Sequence, residues 1–490
     1  MNFWPELSPA VQHAFQVFYG GLLGLVIVHQ LAPHWRRYLV SDRWGGYAQS
    51  STFVDPLHRP TLAPLVLIGW AGCAIALICN WYPVIAALAN VLLCRYYFVA
   101  MRWRGVLRGF GAPGFMSYWF GMAVLLLAFT RRHAPTLQPL ALLYLQTDIA
   151  LIIFSAAFHK FRSGYRQGEG MDYGLVNPMW GYWPGFFRRL PTAHKIYRFL
   201  NWSAWVSQFA SAALMLIPVT RWIGGLAETI TYLFIATQIR LGWLAEQMML
   251  IGLLFLTVGS PPGRWWDTHW PVPEAFALNG PALPGGLILL VGIFLWLQLV
   301  LTVLCHAGLF YNFYGRRNLP PLLQRALEAY ANFFGIIIWR VFSVDHLNFY
   351  VNIYSASANT LSTAGMALLS GWKTPLNLRF WHVGEAITVT SLFTTLKYYP
   401  SNEAIFRERI LRYSRTLPCP PDREIVFEYV SIKKTAGQYE DCPVCHYYVN
   451  PRTGDVRAQV IDPTYSPKSC HFTSPLHETA HPGTYAPKLT

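Results

Sequence analysis

Apolar residues dominate nine stretches of the first 309 residues, and each stretch approaches the length of a membrane-spanning helix. They are residues 11–31, 62–81, 83–101, 115–130, 137–158, 202–219, 224–239, 241–258 and 284–309. A hydrocarbon core roughly 30 Å thick is crossed by about 20 helical residues. The pattern therefore predicts an all-α polytopic membrane bundle of about nine transmembrane helices. A small α+β extramembrane domain is expected to follow it.

The chain changes character after residue 309, where turn residues and charges replace the apolar runs. Short helices are predicted over 331–342 and 383–396, a strand over 423–433, and a hairpin over 447–460 with its turn at 450–455. We therefore divide the chain into a transmembrane domain (1–309), amphipathic helices and a strand packed at the membrane face (310–433), a cysteine-containing hairpin (434–473) and a flexible tail (474–490).

Composition supports a membrane protein, because only 12% of the residues are charged and 54% are apolar. The 38 Lys and Arg outnumber the 23 Asp and Glu, but they cluster in alternate loops between the apolar runs. This is the positive-inside pattern, which places the N-terminus outside and the C-terminus in the cytoplasm. If 224–239 and 241–258 form one long helix or a re-entrant hairpin, the C-terminal side is reversed. No nucleic-acid motif accompanies the positive charge, so nucleic acid is not an expected partner.

Three ionisable residues of the fifth apolar run are candidate catalytic residues. Asp148 and His159 are eleven residues apart, about three helical turns, and so share a helix face. Lys160 follows at the membrane edge, where desolvation can lower the pKa of a lysine and make it a general base. The alternative is a lysine that marks the end of the span with its charge in the headgroup region.

A second group of charges lies in the short runs between 224 and 258. Arg240 and Glu246 are six residues apart, and an intramembrane arginine near a carboxylate is commonly a structural pair. The alternative is that both line a cavity for a quinone-like or anionic ligand. His29 and His306 are predicted to be packing or interfacial residues.

The C-terminal hairpin contains the sequence Cys442-Pro-Val-Cys445-His446, which resembles one knuckle of rubredoxin-like and zinc-ribbon domains. Three interpretations remain open. The first is zinc held by Cys442, Cys445, Cys470 and either His471 or Cys419. The second is covalent haem c, for which Cys-x-x-Cys-His is the attachment pattern, and the third is a disulfide or unligated thiols.

Residues 154–161, followed by Gly168-Glu169-Gly170, resemble a segment of the vitamin K-dependent gamma-carboxylase-like (HTTM) membrane proteins. The resemblance extends to residues 339–342 and 393–402, which are similar to bacterial members. It implies an integral protein of the bacterial inner membrane in which Lys160 is the base acting on a quinol or lipid-like substrate. The alternative function is a non-catalytic subunit of a larger redox or photosynthetic membrane complex, with membrane lipid and protein partners.

Overall fold

The computed structural model describes residues 3–47, 55–100, 111–277, 280–334, 336, 344–357, 373–376, 383–398 and 403–462. The expected tail at 474–490, Cys470, His471 and the segments 339–342 and 399–402 lie outside these residues. The described chain is mostly helical, with a small antiparallel sheet near the C-terminus. The predicted combination of a helical bundle and an α+β part is thus confirmed at this level.

Each of the predicted apolar runs contains a helix. The first helix begins behind Ser8, whose side chain accepts a hydrogen bond from the Val11 amide and so caps the helix N-terminus. The helices of this part are α1 (Pro9–Val26), α2 (Trp35–Tyr38), α3 (Ala63–Ile78), α4 (Pro83–Cys94), α5 (Gly111–His133), α6 (Gln138–Arg162), α7 (Met171–Val176), α8 (Pro184–Phe187), α9 (Lys195–Leu216), α10 (Arg221–Gln238), α11 (Leu244–Ile251), α12 (Pro261–His269), α13 (Glu274–Ala277) and α14 (Gly285–Gly315).

Four helical stretches among the described residues are long and apolar enough to cross a bilayer. They are Pro9–Tyr38, Ala112–His133, Pro135–Arg162 and Gly285–Gly315. Three further apolar helices are shorter, at Ala63–Ile78, Pro83–Phe98 and Leu244–Phe255. That all nine predicted runs cross the membrane therefore stays a prediction.

The first helices and the hairpin α10–α11 meet at one end of the bundle, which we call the N-terminal end. Leu7 pairs with Thr257 beyond α11, and Gln138 at the start of α6 donates a hydrogen bond to Gln12. α10 and α11 are separate helices, because the chain turns back between them. The two runs therefore return the chain to the N-terminal end.

The C-terminal part packs at the opposite end, which we call the sheet end. There Arg37 forms an ion pair with Glu385, whose carboxylate also accepts a hydrogen bond of 2.6 Å from the Tyr413 hydroxyl. The Asn177 amide donates to the Leu347 carbonyl at 2.8 Å. The N-terminus and the sheet thus lie at opposite ends of the bundle.

The C-terminal part combines four helices with a five-stranded antiparallel sheet of order β2-β1-β3-β4-β5. Its elements are α15 (Pro321–Phe334), α16 (Val344–Leu347), α17 (Val383–Tyr398), α18 (Glu403–Ser414), β1 (Phe349–Ser357), β2 (Lys373–Pro375), β3 (Arg423–Thr435), β4 (Gln438–Val449) and β5 (Val456–Val460). Phe393 of α17 packs against Phe427 and Tyr447 on one face of this sheet.

Most of the predicted C-terminal elements are confirmed. The predicted strand is β3, the helix predicted over 383–396 is α17, and β4 and β5 enclose the predicted turn. α15 begins at Pro321, ten residues before the predicted start at 331. Residues 335 and 337–342 of that prediction lie outside the described residues. The predicted boundary between segments 310–433 and 434–473 separates β3 from β4, but these two strands pair with each other. The two segments therefore share one sheet.

Candidate functional site

Lys160 lies at the end of α6 and is buried, with 6% of its surface exposed. Its side-chain nitrogen donates a hydrogen bond of 2.7 Å to the Gln208 side-chain oxygen on α9. The side chain therefore does not reach out to the headgroup region as that of a lysine marking the end of a span would. The structure places it between helices, in contact with a polar partner.

Gln208 connects Lys160 to a third helix. Its amide nitrogen donates to the Tyr232 hydroxyl on α10 at 3.1 Å, and the fully buried Glu228 lies one turn before Tyr232. Glu228 lies within electrostatic range of Lys160, and the Gln208 and Ser211 side chains are near its carboxyl group. We call Lys160, Gln208, Ser211, Glu228 and Tyr232 the Lys160 cluster.

Close packing of α9 against α10 brings the cluster together. A Cβ atom on Gly224 would lie 2.6 Å from the Met215 amide nitrogen and 2.8 Å from the Ser211 carbonyl oxygen. Only glycine allows this approach of the two backbones, as is typical of helix contacts in membranes. Neither Glu228 oxygen completes a hydrogen bond of ordinary length and angle with a described residue. The carboxylate therefore retains acceptor capacity for a proton or a donor group.

The two other predicted catalytic residues on α6 contact residues outside the Lys160 cluster. His159 is buried beside Phe313 of α14, with ring centroids 6.2 Å apart. Asp148 precedes Lys160 by twelve residues, which separates them by about 18 Å along the helix axis. Residues that share a face of α6 do not form one site here, because the rise of the helix along its axis keeps their side chains apart.

Asp148 instead belongs to a polar group in the middle of the bundle. Its carboxylate accepts a hydrogen bond of 2.8 Å from the Trp119 indole and lies 3.3 Å from the His306 imidazole. The interpretation of His306 as a packing or interfacial residue missed this contact. A sequence signal exists, because Gln298, Thr302 and His306 recur at every fourth position of α14 and lie on its buried face.

Arg240 and Glu246 are not paired with each other among the described residues. The Arg240 guanidinium donates to the Pro178 carbonyl at 3.3 Å and lies over the Tyr182 ring. Glu246 instead lines an open cavity of about 280 Å³ on the outer side of α11. The other residues lining this cavity are Phe18, Leu22, Met249, Leu250 and Leu253.

The Cys-Pro-Val-Cys-His sequence lies within strand β4 and does not form the tight turn of a metal knuckle. Cys442 pairs with Ser431 and Cys445 with Tyr429, with a bulge between them. His446 lies 3.0 Å from the Glu428 carboxylate. Burial raises the pKa of the Cys445 thiol to about 11, which disfavours the thiolate that a metal ion requires.

No group of three or more His, Cys, Asp or Glu side chains suited to a metal ion occurs within the part of the chain that the structure describes. Both Cys442 and Cys445 are free thiols. The other predicted zinc ligands, Cys470 and His471, lie outside the described residues. The zinc interpretation therefore stays a prediction that depends on those two residues.

The structure also contains a buried aspartate that the sequence analysis did not select. Asp172 accepts hydrogen bonds of 2.7 Å from the Gly170 amide and from the Tyr439 hydroxyl of β4, and Lys434 of β3 lies 3.0 Å away. Gly170 has φ of 145°, and a Cβ atom there would overlap the Tyr165 ring. The Gly168-Glu169-Gly170 motif is thus a turn that presents Asp172 to the sheet.

The protein is a helical bundle that contains helices long and apolar enough to span a membrane. A lysine and a glutamate are buried near each other among polar side chains of this bundle. No family model, curated protein or solved structure matches the chain.

Proposed function

We propose that this protein is an integral membrane enzyme of the gamma-carboxylase-like (HTTM) kind, in which Lys160 is a general base acting on a quinol or lipid-like substrate. The observation that supports this most is the burial of Lys160 beside Gln208, close to the buried Glu228. Burying ionisable groups away from water is costly. Intramembrane ionisable groups are therefore functional candidates by default.

The proposed step is a proton transfer. The Lys160 amine accepts the proton of a substrate hydroxyl, which leaves an anion on the substrate and an ammonium on the lysine. Glu228 stabilises that ammonium through its negative charge, and Gln208 holds the nitrogen in place. The supporting role that the sequence suggested for His159 and Asp148 passes in this proposal to Gln208 and Glu228.

The cavity beside Glu246 is the proposed entry point for a quinone-like molecule. Five of its lining side chains are apolar and one is an acid, which suits a ring that carries a hydroxyl group. Arg240 is not part of this proposal because it contacts Pro178 and Tyr182.

The test uses the purified protein in lipid nanodiscs under anaerobic conditions, with the reduced naphthoquinone menadiol as probe. We expect the absorbance of the quinol anion to appear on mixing with the wild-type protein and to be absent with Lys160→Arg, because arginine does not deprotonate. Lys195→Arg is the matched control, since Lys195 is exposed at the start of α9. Equal anion formation by Lys160→Arg would contradict the proposal.

A second candidate function is a non-catalytic subunit of a larger redox or photosynthetic membrane complex. The observation that favours it is the exposure of α14. Only 17% of its apolar membrane-spanning stretch is buried in the protein, whereas 61–83% is buried in the other three candidate spans. Its outward face carries large side chains, including Phe294 and Trp296. A partner helix could pack there in place of lipid.

The proposed location is the bacterial inner membrane, with the sheet end in the cytoplasm. The basic residues near that end support this orientation through the positive-inside rule. They include Arg162, Arg166, Lys195, Arg198, Arg316 and Arg317. A cysteine-reactive reagent confined to the outside should therefore not label a tag at residue 490 in intact cells.

A further inference from the structure

The outward face of α6 near the sheet end is a strip of aromatic side chains. Phe154, Phe158 and Phe161 follow one another at helical spacing, so they share one face of the helix. The ring centroids of Phe154 and Phe158 are 6.3 Å apart, and those of Phe158 and Phe161 are 6.5 Å apart. Phe154 keeps 39% of its surface exposed. We call these three residues the α6 strip.

Rings from α9 and α14 flank the α6 strip on its two sides. The Phe154 ring centroid lies 5.2 Å from that of Phe209 on α9 and 5.8 Å from that of Phe310 on α14. Nearer the sheet end, Trp205 of α9 and Tyr314 of α14 approach the strip in the same way, with centroid distances of 5.1 Å and 4.7 Å. The α6 strip is therefore the floor of a groove whose walls are α9 and α14, and we call it the aromatic groove.

Exposed arginines lie at the sheet end of the aromatic groove. The candidate span in α6 ends at Arg162, and the Arg166 guanidinium lies 5.5 Å from the centroid of the Phe161 ring. On the other side, Arg316 and Arg317 follow directly after the last residue of α14. The two candidate spans that border the groove thus end in positive charge at the same level, where a span meets the headgroup region.

These arginines have no acidic partner in the ranges of the chain that the structure describes. Glu169, the acid closest in sequence to Arg166, lies 3.9 Å from Lys434 instead. The positive charge at the groove is therefore available to an anion from outside the chain. Arginine binds phosphate through two parallel hydrogen bonds, and basic pockets between membrane helices bind anionic lipid headgroups.

We propose that the aromatic groove binds an anionic phospholipid from the leaflet at the sheet end. Arg162 and Arg166 bind its phosphate, and the α6 strip contacts one acyl chain. The distance from Phe154 to Arg162 is eight residues, or about 12 Å along the helix axis, which is most of the roughly 15 Å that one leaflet adds to the hydrocarbon core. A lipid with a choline headgroup fits less well, because its own cation is repelled by the arginines.

This inference does not rest on the role of Lys160, because the Lys160 side chain contacts Gln208 inside the bundle. The competing explanation is that the rings only pack three helices together and that the arginines only set the orientation in the membrane. In that case lipids with either headgroup contact the groove equally. A preference for the anionic lipid distinguishes the two explanations.

The test is photo-crosslinking of the full-length protein in phosphatidylcholine nanodiscs that contain a trace of photoreactive lipid. The probe carries a diazirine in one acyl chain and has either a phosphatidylglycerol or a phosphatidylcholine headgroup. On peptides that contain Phe158 or Phe209, we expect at least about tenfold more label from the phosphatidylglycerol probe. Arg162→Gln and Arg166→Gln should each lower this label about fivefold, and the double variant about thirtyfold.

Arg264→Gln is the matched control, since Arg264 is exposed on α12 and α12 lies at the N-terminal end, where Trp270 contacts His13. Its label should equal that of the wild type. The exposed residues Leu289 and Ile293 of α14 face bulk lipid, so their peptide should take equal label from both probes.

Equal label from the two probes in the aromatic groove would overturn the proposal, as would unchanged label in the double variant. Groove peptides without label from either probe would also overturn it, because a protein segment or a quinol then fills the groove in place of lipid.

Discussion

The Lys160 cluster and the Cys442–His446 segment differ in how their polar residues are brought together. The cluster draws Lys160, Gln208 and Glu228 from three helices, and these residues are far apart in the sequence. The other segment has its residues adjacent in the sequence, but strand β4 extends them along the sheet. Spacing in the sequence therefore predicts a shared site only when the local backbone is known.

Burial also separates the two regions. Lys160 and Glu228 are ionisable groups buried among polar side chains, whereas burial holds the Cys445 thiol in its neutral form by raising its pKa. The two regions differ in the neighbours of the ionisable groups, because Lys160 contacts the Gln208 side chain on another helix, whereas Cys445 lies within a strand of the sheet. The first arrangement suits proton transfer, and the second suits packing.

The largest expected effect is the loss of stability in Lys160→Met. This variant leaves Glu228 as a buried carboxylate without an opposite charge, which should lower the free energy of unfolding by about 3–5 kcal/mol. Lys160→Met combined with Glu228→Leu should recover most of that loss, because neither charge remains. Thermal unfolding in detergent measures both variants, with Lys195→Met as the exposed control.

Additive losses in the double variant would show that Lys160 and Glu228 do not act as a unit. The Lys160 cluster would then be a set of separate polar contacts. It would no longer differ from the Cys442–His446 segment in bringing distant residues into one site.

The contact between Asp172 and the sheet should show an intermediate effect. Asp172→Ala removes the partner of Gly170, Lys434 and Tyr439 in a buried position, so a loss of about 3 kcal/mol is expected. Asp441→Ala breaks a more exposed pair with Arg188 and should cost about 1 kcal/mol or less. Limited proteolysis of the β3–β4 hairpin measures the difference. If the β3–β4 hairpin is equally resistant to the protease in Asp172→Ala and Asp441→Ala, this ranking is wrong.

A smaller effect is expected in thiol reactivity. Because burial raises the pKa of Cys445 to about 11, about one thiol in a thousand is ionised at pH 8. Labelling with iodoacetamide should therefore modify the half-buried Cys442 first. The Cys445 rate should rise about tenfold for each pH unit up to the pKa. Peptide mass spectrometry follows both sites, and faster labelling of Cys445 at neutral pH would be inconsistent with its burial.

The last prediction concerns zinc. If Cys470 and His471 complete a site with Cys442 and Cys445, elemental analysis should find about one zinc per chain, and Cys442→Ser should remove it. Asp422→Asn, a change elsewhere in the sheet region, should leave the zinc content unchanged. A haem spectrum in the reduced wild-type protein would instead support covalent haem c. Protein without zinc or haem would leave β4 as a structural strand.

The sequence predicted the elements better than the sites. Apolar runs placed the helices because length and hydropathy are local properties, and alternation placed β3 for the same reason. The partners of Lys160 were missed because Gln208 and Glu228 come from distant parts of the chain. A signal was present in hindsight, since Glu228 and Tyr232 share one face of α10 at helical spacing.

The cysteine motif was recognised in the sequence, but its backbone conformation was predicted wrongly. Its pattern is local and specific, yet pairing with β3 imposes an extended backbone that a knuckle cannot adopt. Which strand pairs with which is a long-range property, and one sequence does not reveal it. The contact of His306 with Asp148 was missed for the same reason, because α6 and α14 are distant in the chain.

The proposal of Lys160 as a base on a quinol is tested most directly by native mass spectrometry of the protein purified from its own membrane. We predict a bound quinone-class molecule at a ratio near one per chain, without a stoichiometric protein partner. The same preparation of Lys195→Arg should retain the molecule. A stoichiometric membrane-protein partner with no bound quinone would contradict the enzyme proposal and support the subunit function.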